Sequence, residues 1–117
     1  MTTTISAVSS FTNGKYTSTG SACANNYVVI PITWTGLDGY PEVVVETAIE
    51  DVDASYHPAK MIDANGNDFP IKLRLTLEDG GDSLTIDSIY SATPFVRIVV
   101  YDGGITTGSI TFTLDVG

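Results

Sequence analysis

Short aliphatic segments recur along this chain, and each ends at residues that favour turns. Side chains from Ile71 to Leu77 alternate strictly between apolar and polar, and those from Ile110 to Val116 repeat the pattern. A period of two places the apolar side chains on one face of a β-strand and leaves the other face wet, as in antiparallel sheets. No segment shows helical spacing of apolar residues over three turns, so the pattern predicts an all-β fold.

Glycine- and asparagine-rich turns divide the chain at roughly the 8 to 12 residue spacing of sandwiches and barrels. We predict an antiparallel β-sandwich of about seven to nine strands, with jelly-roll and immunoglobulin-like strand orders both open. Residues 1–117 suit a single domain. The segment Met1 to Ser10 fits either a first strand or an N-terminal arm that orders on docking. The main strands are expected near Thr4 to Phe11, Asn26 to Thr35, Pro41 to Glu50, Ile71 to Leu77, Ser83 to Ile89, Phe95 to Asp102 and Ser109 to Val116, with short ones near Lys15 to Thr19 and Ala59 to Ile62.

Two strands are continuously apolar, at Val28 to Ile30 and at Val43 to Val45. Such strands are either covered on both faces or use their second face for contact with a partner. Trp34 ends a strongly apolar strand and is assigned to the core. Tyrosines in loops that also carry glycine and proline suit a contact surface. The candidate partner contacts are therefore Tyr40, Tyr56, Val28, Ile30, Val43 and Val45.

A formal charge of -9 disfavours two classes of partner. Phosphate backbones and anionic lipid headgroups are repelled by an acidic protein, so we expect neither nucleic acid nor membrane as a partner. Cys23 is the single cysteine, which leaves no intrachain disulfide. The first residues lack the pattern of a signal peptide, so synthesis in a cytoplasm without export is expected.

Residues with catalytic chemistry are few. His57 is the single histidine, and Cys23 has no positive charge near it in sequence that would lower its pKa. The acidic run of Glu46, Glu50, Asp51 and Asp53 is typical of a solvated strand edge. We predict no enzymatic activity, no catalytic residues and no cofactor.

The segment Asp63 to Asp68 begins like a calcium-binding EF-hand loop. Its glycine, Gly66, falls at the fourth position instead of the sixth, and Arg74 stands where the bidentate glutamate belongs. The EF-hand interpretation therefore fails. An irregular calcium site stays open, but a tight Asn-Gly turn accounts for the same residues without an ion.

A series of short motifs extends over roughly residues 27–117. A strand ends in Trp-x-Gly, a glycine turn and a valine-rich strand follow, and later an aromatic-apolar-Arg-apolar strand precedes a Thr-Gly. The residues are Ile32 to Gly36, Gly39, Val43 to Glu46, Phe95 to Tyr101, Thr107 to Phe112 and Gly117. In these motifs the chain resembles small β-sandwich structural proteins of tailed bacteriophages. It departs from their pattern after the valine-rich strand, where Thr47 to Asp51 and Tyr56 replace a Ser-x-Asp-Gly and a second tryptophan.

The resemblance implies a non-enzymatic virion protein, with an auxiliary or decoration protein on the outside of a capsid as the leading expectation. The acidic charge agrees with an exterior position, because DNA packed inside a capsid would repel it. The implied partners are the major capsid protein or other virion proteins, and self-association is a further expectation. The alternative is a carbohydrate-binding module associated with a tail or fibre.

Overall fold

The computed structural model describes residues 2–6, 11–22, 27–62, 64–75, 83–90 and 94–116. This part of the chain is built from antiparallel β-strands, and its helical content is one 3-10 turn at Asp53–Ser55. No helix in these ranges has the length and apolarity to cross a membrane. The strands are β1 (Thr2–Ser6), β2 (Lys15–Thr17), β3 (Ser21–Ala22), β4 (Tyr27–Thr35), β5 (Glu42–Ala48), β6 (His57–Pro58), β7 (Lys60–Ile62), β8 (Asp68–Pro70), β9 (Lys72–Arg74), β10 (Ser83–Tyr90), β11 (Phe95–Tyr101), β12 (Ser109–Thr113) and β13 (Asp115–Val116).

The first sheet has the strand order β1-β12-β4-β10, and β13 also pairs with β4. The long strand β4 alternates as the period-two pattern requires. Ile30, Ile32 and Trp34 are buried, whereas the intervening Pro31 and Thr33 are exposed. One face of β4 is therefore wet and the other belongs to the core.

The second sheet has the order β2-β11-β5-β6, with β3 also paired to β11 and β9 to β5. Its centre is the antiparallel pair of β11 and β5, which runs from Phe95 opposite Ala48 to Tyr101 opposite Glu42. Two short strands, β7 and β8, form a separate hairpin. The turn of this hairpin contains Gly66 at φ 82, which confirms the Asn-Gly turn, while Asp63 lies outside the described residues.

Side chains from both sheets meet in one hydrophobic cluster. Trp34 is 4% exposed within it, so its assignment to the core is confirmed. Removal of this apolar surface from water is the main force that holds the sheets in place. The cluster combines Ile30, Ile32 and Trp34 of β4 and Ile110 and Phe112 of β12 with Val43 and Val45 of β5 and Val96, Ile98 and Val100 of β11.

The prediction that Ile30, Val43 and Val45 contact a partner is wrong. Their side chains are 0%, 1% and 0% exposed, respectively, and belong to the core cluster. Val44 points to the opposite face of β5, pairs with Val99, and is also buried. The valine run is thus covered on both faces, which accounts for its continuous apolarity. Val28 lies in β4, but its side chain lies outside the described residues.

The N-terminal segment supplies a strand. Thr2–Ser6 pair with β12 from Thr2 opposite Thr113 to Ser6 opposite Ser109, so this part of the segment is not a free arm; residues 7–10 lie outside the described residues. Every predicted main strand overlaps an observed one, although β1 begins and ends earlier than predicted, β9 is shorter than predicted, and residues 76–82 are not described. The short strands β3, β6 and β8 were not predicted, because segments this small are ordered by the neighbour with which they pair.

Candidate functional site

Arg97 is the one charged side chain in the apolar strand β11. Its neighbours Val96 and Ile98 are buried in the core, so Arg97 projects from the opposite face of the sheet. Glu46 of β5 stands directly across from it in register. This pairing of two strands that are distant in sequence places opposite charges side by side.

Three groups surround the Arg97 guanidinium. Its Nε donates to Glu46 Oε1 at 2.8 Å and its Nη1 to Asp53 Oδ1 at 2.8 Å. Its Cζ lies 3.9 Å from the centroid of the Tyr56 ring, within the range of a cation-π contact. Burial alone would lower the pKa of Arg97, but the hydrogen bonds that Arg97 donates to Asp53 and Glu46 outweigh burial and raise it. Arg97 therefore remains a cation and holds two carboxylates.

The two ion pairs differ in exposure. The side chains of Arg97 and Glu46 are 13% and 14% exposed, whereas that of Asp53 is 97% exposed. Water screens an exposed pair, so the Glu46 pair contributes more to stability than the Asp53 pair. Asp53 instead serves to connect the loop after β5 to the sheet.

Tyr56 adds a second connection. Its hydroxyl donates to Asp51 Oδ1 at 2.6 Å. Burial and this hydrogen bond both raise the pKa of Tyr56 above its ordinary value, so the phenol stays protonated and remains a donor. Gly20 packs against this pair so closely that a Cβ at Gly20 would collide with the Tyr56 hydroxyl and with Asp51.

A bulge between β2 and β3 forms the wall opposite this loop. The Ser18 amide donates to Ile98 O at 2.9 Å, and the Ile98 amide donates to Ser18 Oγ at 2.9 Å, so a hydroxyl replaces the usual backbone acceptor. The chain leaves the regular ladder at residues 18–20 and turns toward Tyr56. The buried Ser18 thus positions Gly20 against the loop.

The 49–56 loop is ordered by its own backbone hydrogen bonds. The Val52 amide donates to Glu50 O at 2.8 Å, which is the three-residue pattern of a γ-turn. The Ser55 amide then donates to Val52 O at 3.0 Å and the Tyr56 amide to Asp53 O at 3.3 Å. Ile49 and Val52 are nevertheless 69% and 50% exposed. The loop therefore presents apolar side chains from a braced backbone.

Between the bulge and the loop lies a polar cleft of about 630 Å³. This volume is within the range of small-molecule sites, but such sites are mostly apolar and this one is not. Hydroxyl groups and charged groups converge in it, together with one aromatic ring. Its walls are formed by Lys15, Thr17, Ser18, Thr19, Gly20, Asp51, Asp53, Tyr56 and Arg97.

A second braced loop lies at the other end of β5. Asp38 Oδ1 accepts from the amides of Thr106 at 2.7 Å and Thr107 at 3.2 Å, and Asp38 Oδ2 accepts from the Thr106 hydroxyl. The hydrogen bonds from Thr106 are the main cause of the lowered pKa of Asp38. Tyr40 in this loop is 51% exposed, and Tyr101 at the end of β11 is 43% exposed.

The two tyrosines that were predicted to contact a partner differ in exposure. Tyr40 is exposed as a contact residue must be, whereas Tyr56 is half-buried and engaged with Arg97 and Asp51. The acidic run is not only a solvated edge, because Glu46 and Asp53 bind Arg97. Arg97 was missed as a site residue, although a lone basic residue within an apolar strand was a signal that could have revealed it.

Of the two single residues considered for catalysis, the structure describes one. His57 is exposed in β6, and its Nδ1 lies 3.3 Å from its neighbour's carbonyl, Pro58 O. Cys23 lies outside the described residues. Across the described ranges, no group of three or more histidine, cysteine, aspartate or glutamate side chains is placed to hold a metal ion.

Comparison of the chain with protein-family models, with curated proteins and with solved structures gives no match.

Proposed function

We propose that this chain is a non-enzymatic structural protein of a phage virion, an auxiliary or decoration protein bound to the outside of the capsid. In this proposal its two sheets pack face to face as one β-sandwich domain, and it acts by presenting a rigid surface to the major capsid protein. The protein is made in the host cytoplasm and joins the particle there. The proposal combines the sequence resemblance with the surface described above.

The observation that carries the proposal is the placement of exposed apolar side chains in braced loops at both ends of β5. Tyr40 precedes the strand, and Ile49 and Val52 follow it; they are 51%, 69% and 50% exposed. Hydrogen bonds that Thr106 and Thr107 donate to Asp38 brace the first loop, and Arg97 braces the second. Apolar side chains on preordered loops suit a protein interface, because little conformational entropy is lost on binding.

The residues that carry the phage resemblance are architectural, which supports a structural role. Trp34 lies in the core. Gly36 and Gly108 meet where two loops touch, at φ 67 and φ 96, and a Cβ on Gly108 would collide with the Thr35 carbonyl. Side chains are excluded from this close approach, so the shared pattern preserves a scaffold.

The charge of -9 supports an exterior position. A small domain has limited area to bury, so stable attachment requires a symmetric position that contacts several capsid subunits, or self-association that adds contacts through avidity. The test is to purify virions, wash them with salt to remove loosely bound material, and count copies per particle. Roughly tens to hundreds of copies on the shell are expected from capsid symmetry. A few copies confined to the tail, or none at all, would contradict the proposal.

The polar cleft favours a second candidate, a carbohydrate-binding module of a tail or fibre. Sugars are recognised by converging hydroxyl and carboxylate groups beside an aromatic ring, and the cleft of about 630 Å³ brings Thr19, Asp51 and Tyr56 together. Titration with saccharides of the host cell envelope distinguishes the candidates. Chemical-shift changes confined to the cleft would favour this module, and their absence would favour decoration.

A further inference from the structure

We propose that the 49–56 loop is the main docking element of this protein, and that it binds an apolar depression rimmed by basic side chains on a protein partner. The inference rests on the proposed function only in placing that partner on the capsid shell. It goes further by naming which of the two exposed loops docks and what chemistry receives it.

The first step is the unusual exposure of two aliphatic side chains on one short turn. Ile49 is 69% exposed and Val52 is 50% exposed. Single exposed aliphatic residues are common on protein surfaces and need no explanation. Ile49 and Val52 lie three residues apart in one short loop, beside a sheet whose valines Val43 to Val45 are buried. These two side chains are the apolar tip that a complementary depression would cover.

The second step is that the backbone carrying this tip is already ordered. The Val52 amide is bonded to Glu50 O, and Val52 O accepts from Ser55. Arg97 holds the loop from beneath through Asp53 and through the ring of Tyr56. A partner therefore meets the loop in its binding conformation, which lowers the entropy lost on association.

The third step is charge. The exposed carboxylates Glu50, Asp51 and Asp53 lie in the same loop as the apolar tip. Together with Glu46 they outnumber the two cations that the structure describes at this surface, Arg97 and Lys15, so the surface is net negative. Charge complementarity then requires a positive rim on the partner. A second copy of this chain does not fit, because two copies of the acidic loop would repel each other.

The Tyr40 loop lacks this combination. Its carboxylate, Asp38, is committed to Thr106 and Thr107, and Tyr40 itself adjoins the glycine turn at Gly103. The control position is Tyr101, which is 43% exposed at the end of β11 and pairs with Glu42, at the end of β5 away from the docking loop. A substitution there removes exposed aromatic surface without touching residues 49–56.

The first experiment measures rebinding of the full chain to capsids that have been washed free of it with salt. The Ile49→Ser, Val52→Ser double variant keeps the charge and is expected to bind at least about tenfold more weakly. Tyr101→Ser is expected to stay within about threefold of wild type. Glu50→Gln should weaken binding at low salt and have little effect at high salt, because exposed charges are screened. Melting curves confirm that each variant is folded.

Two results separate the inference from the proposed function. If the wild type rebinds and the double variant rebinds equally well, the 49–56 loop is not the docking element and the inference is wrong. If the wild type does not rebind at all, the capsid assignment is wrong.

A second experiment tests the loop without any virion. A short amphipathic peptide of leucine and lysine is titrated into the labelled chain, and amide chemical shifts are followed. We expect changes concentrated at residues 49–56 that disappear in the double variant. Changes centred on Tyr40, changes spread evenly over the surface, or formation of a dimer of the chain would overturn the inference.

Discussion

The guanidinium of Arg97 lies over the ring of Tyr56, with 3.9 Å between Cζ and the ring centroid. A cation from the middle of β11 is thereby covered by an aromatic side chain that ends the 49–56 loop. The Nε of the same guanidinium donates a hydrogen bond to Glu46 Oε1 at 2.8 Å. Arg97 thus joins two strands and a surface loop, and its removal should destabilise all three.

Substitution of Arg97 should destabilise the protein through Glu46 more than through Asp53. Arg97→Ala leaves a carboxylate that is only 14% exposed without its cation, and we expect a loss of about 2 to 3 kcal/mol in the free energy of unfolding. Double-mutant cycles in urea should give a coupling of about 1 to 2 kcal/mol for Arg97 with Glu46, and about 0.5 kcal/mol or less for Arg97 with the exposed Asp53. Equal couplings would contradict this ranking.

Trp34→Ala should cost about 3 to 5 kcal/mol of stability, because truncation of a buried aromatic side chain removes its transfer free energy and leaves a cavity. Trp34 is 4% exposed, whereas Tyr40, the matched control, is 51% exposed. Tyr40→Ala should change stability by no more than about 0.5 kcal/mol. Denaturant melts measure both, and a Trp34→Ala loss within about 1 kcal/mol would remove Trp34 from the core.

Alanine should be tolerated less well at Gly108 than at Gly66. Both glycines have positive φ, 96 and 82 respectively, which costs a non-glycine residue about 1 to 2 kcal/mol. Around Gly66 there is open space, but a Cβ on Gly108 would collide with the Thr35 and Gly36 carbonyls. We expect Gly108→Ala to lower the free energy of unfolding by about 3 kcal/mol, and Gly66→Ala to lower it only by the conformational cost of the positive φ. Equal losses of melting temperature in the two variants would show that the loop at Gly108 moves away from Thr35 and Gly36 at little cost.

Acid should loosen the loop that contains Thr106 and Thr107. The Thr106 hydroxyl and amide hold the pKa of Asp38 below its ordinary value of 3.8. As the pH falls, Asp38 is therefore protonated at a higher pH in the unfolded chain than in the folded one. The stability that Asp38 contributes to the folded state is complete above its ordinary pKa and is lost as the pH falls through its pKa in the folded state. Amide exchange at Thr106 and Thr107 should speed up in Asp38→Asn at neutral pH. Unchanged exchange would mean that other contacts hold the loop.

The sequence alone determined roughly where the long strands lie and which turn residues separate them. A period of two in apolar side chains is a property of neighbouring residues, and so is the preference of branched side chains for extended backbone. The positive φ required at Gly66 is also local, which is why the Asn-Gly turn was predicted. Trp34 was assigned to the core because it ends a strongly apolar strand, which is also a property of neighbouring residues.

Only the tertiary structure decided what lies across from each strand. Glu46 and Arg97 are 51 residues apart in the chain, and nothing local to either one specifies that they share a register. The run Val43 to Val45 was ambiguous in sequence, because a continuously apolar strand looks the same whether its second face meets a partner or the protein itself. Pairing of Val44 with the buried Val99 resolved it. Register between distant strands is set by the packing of the whole sheet, so the cluster around Arg97 exists only once β5 and β11 have paired.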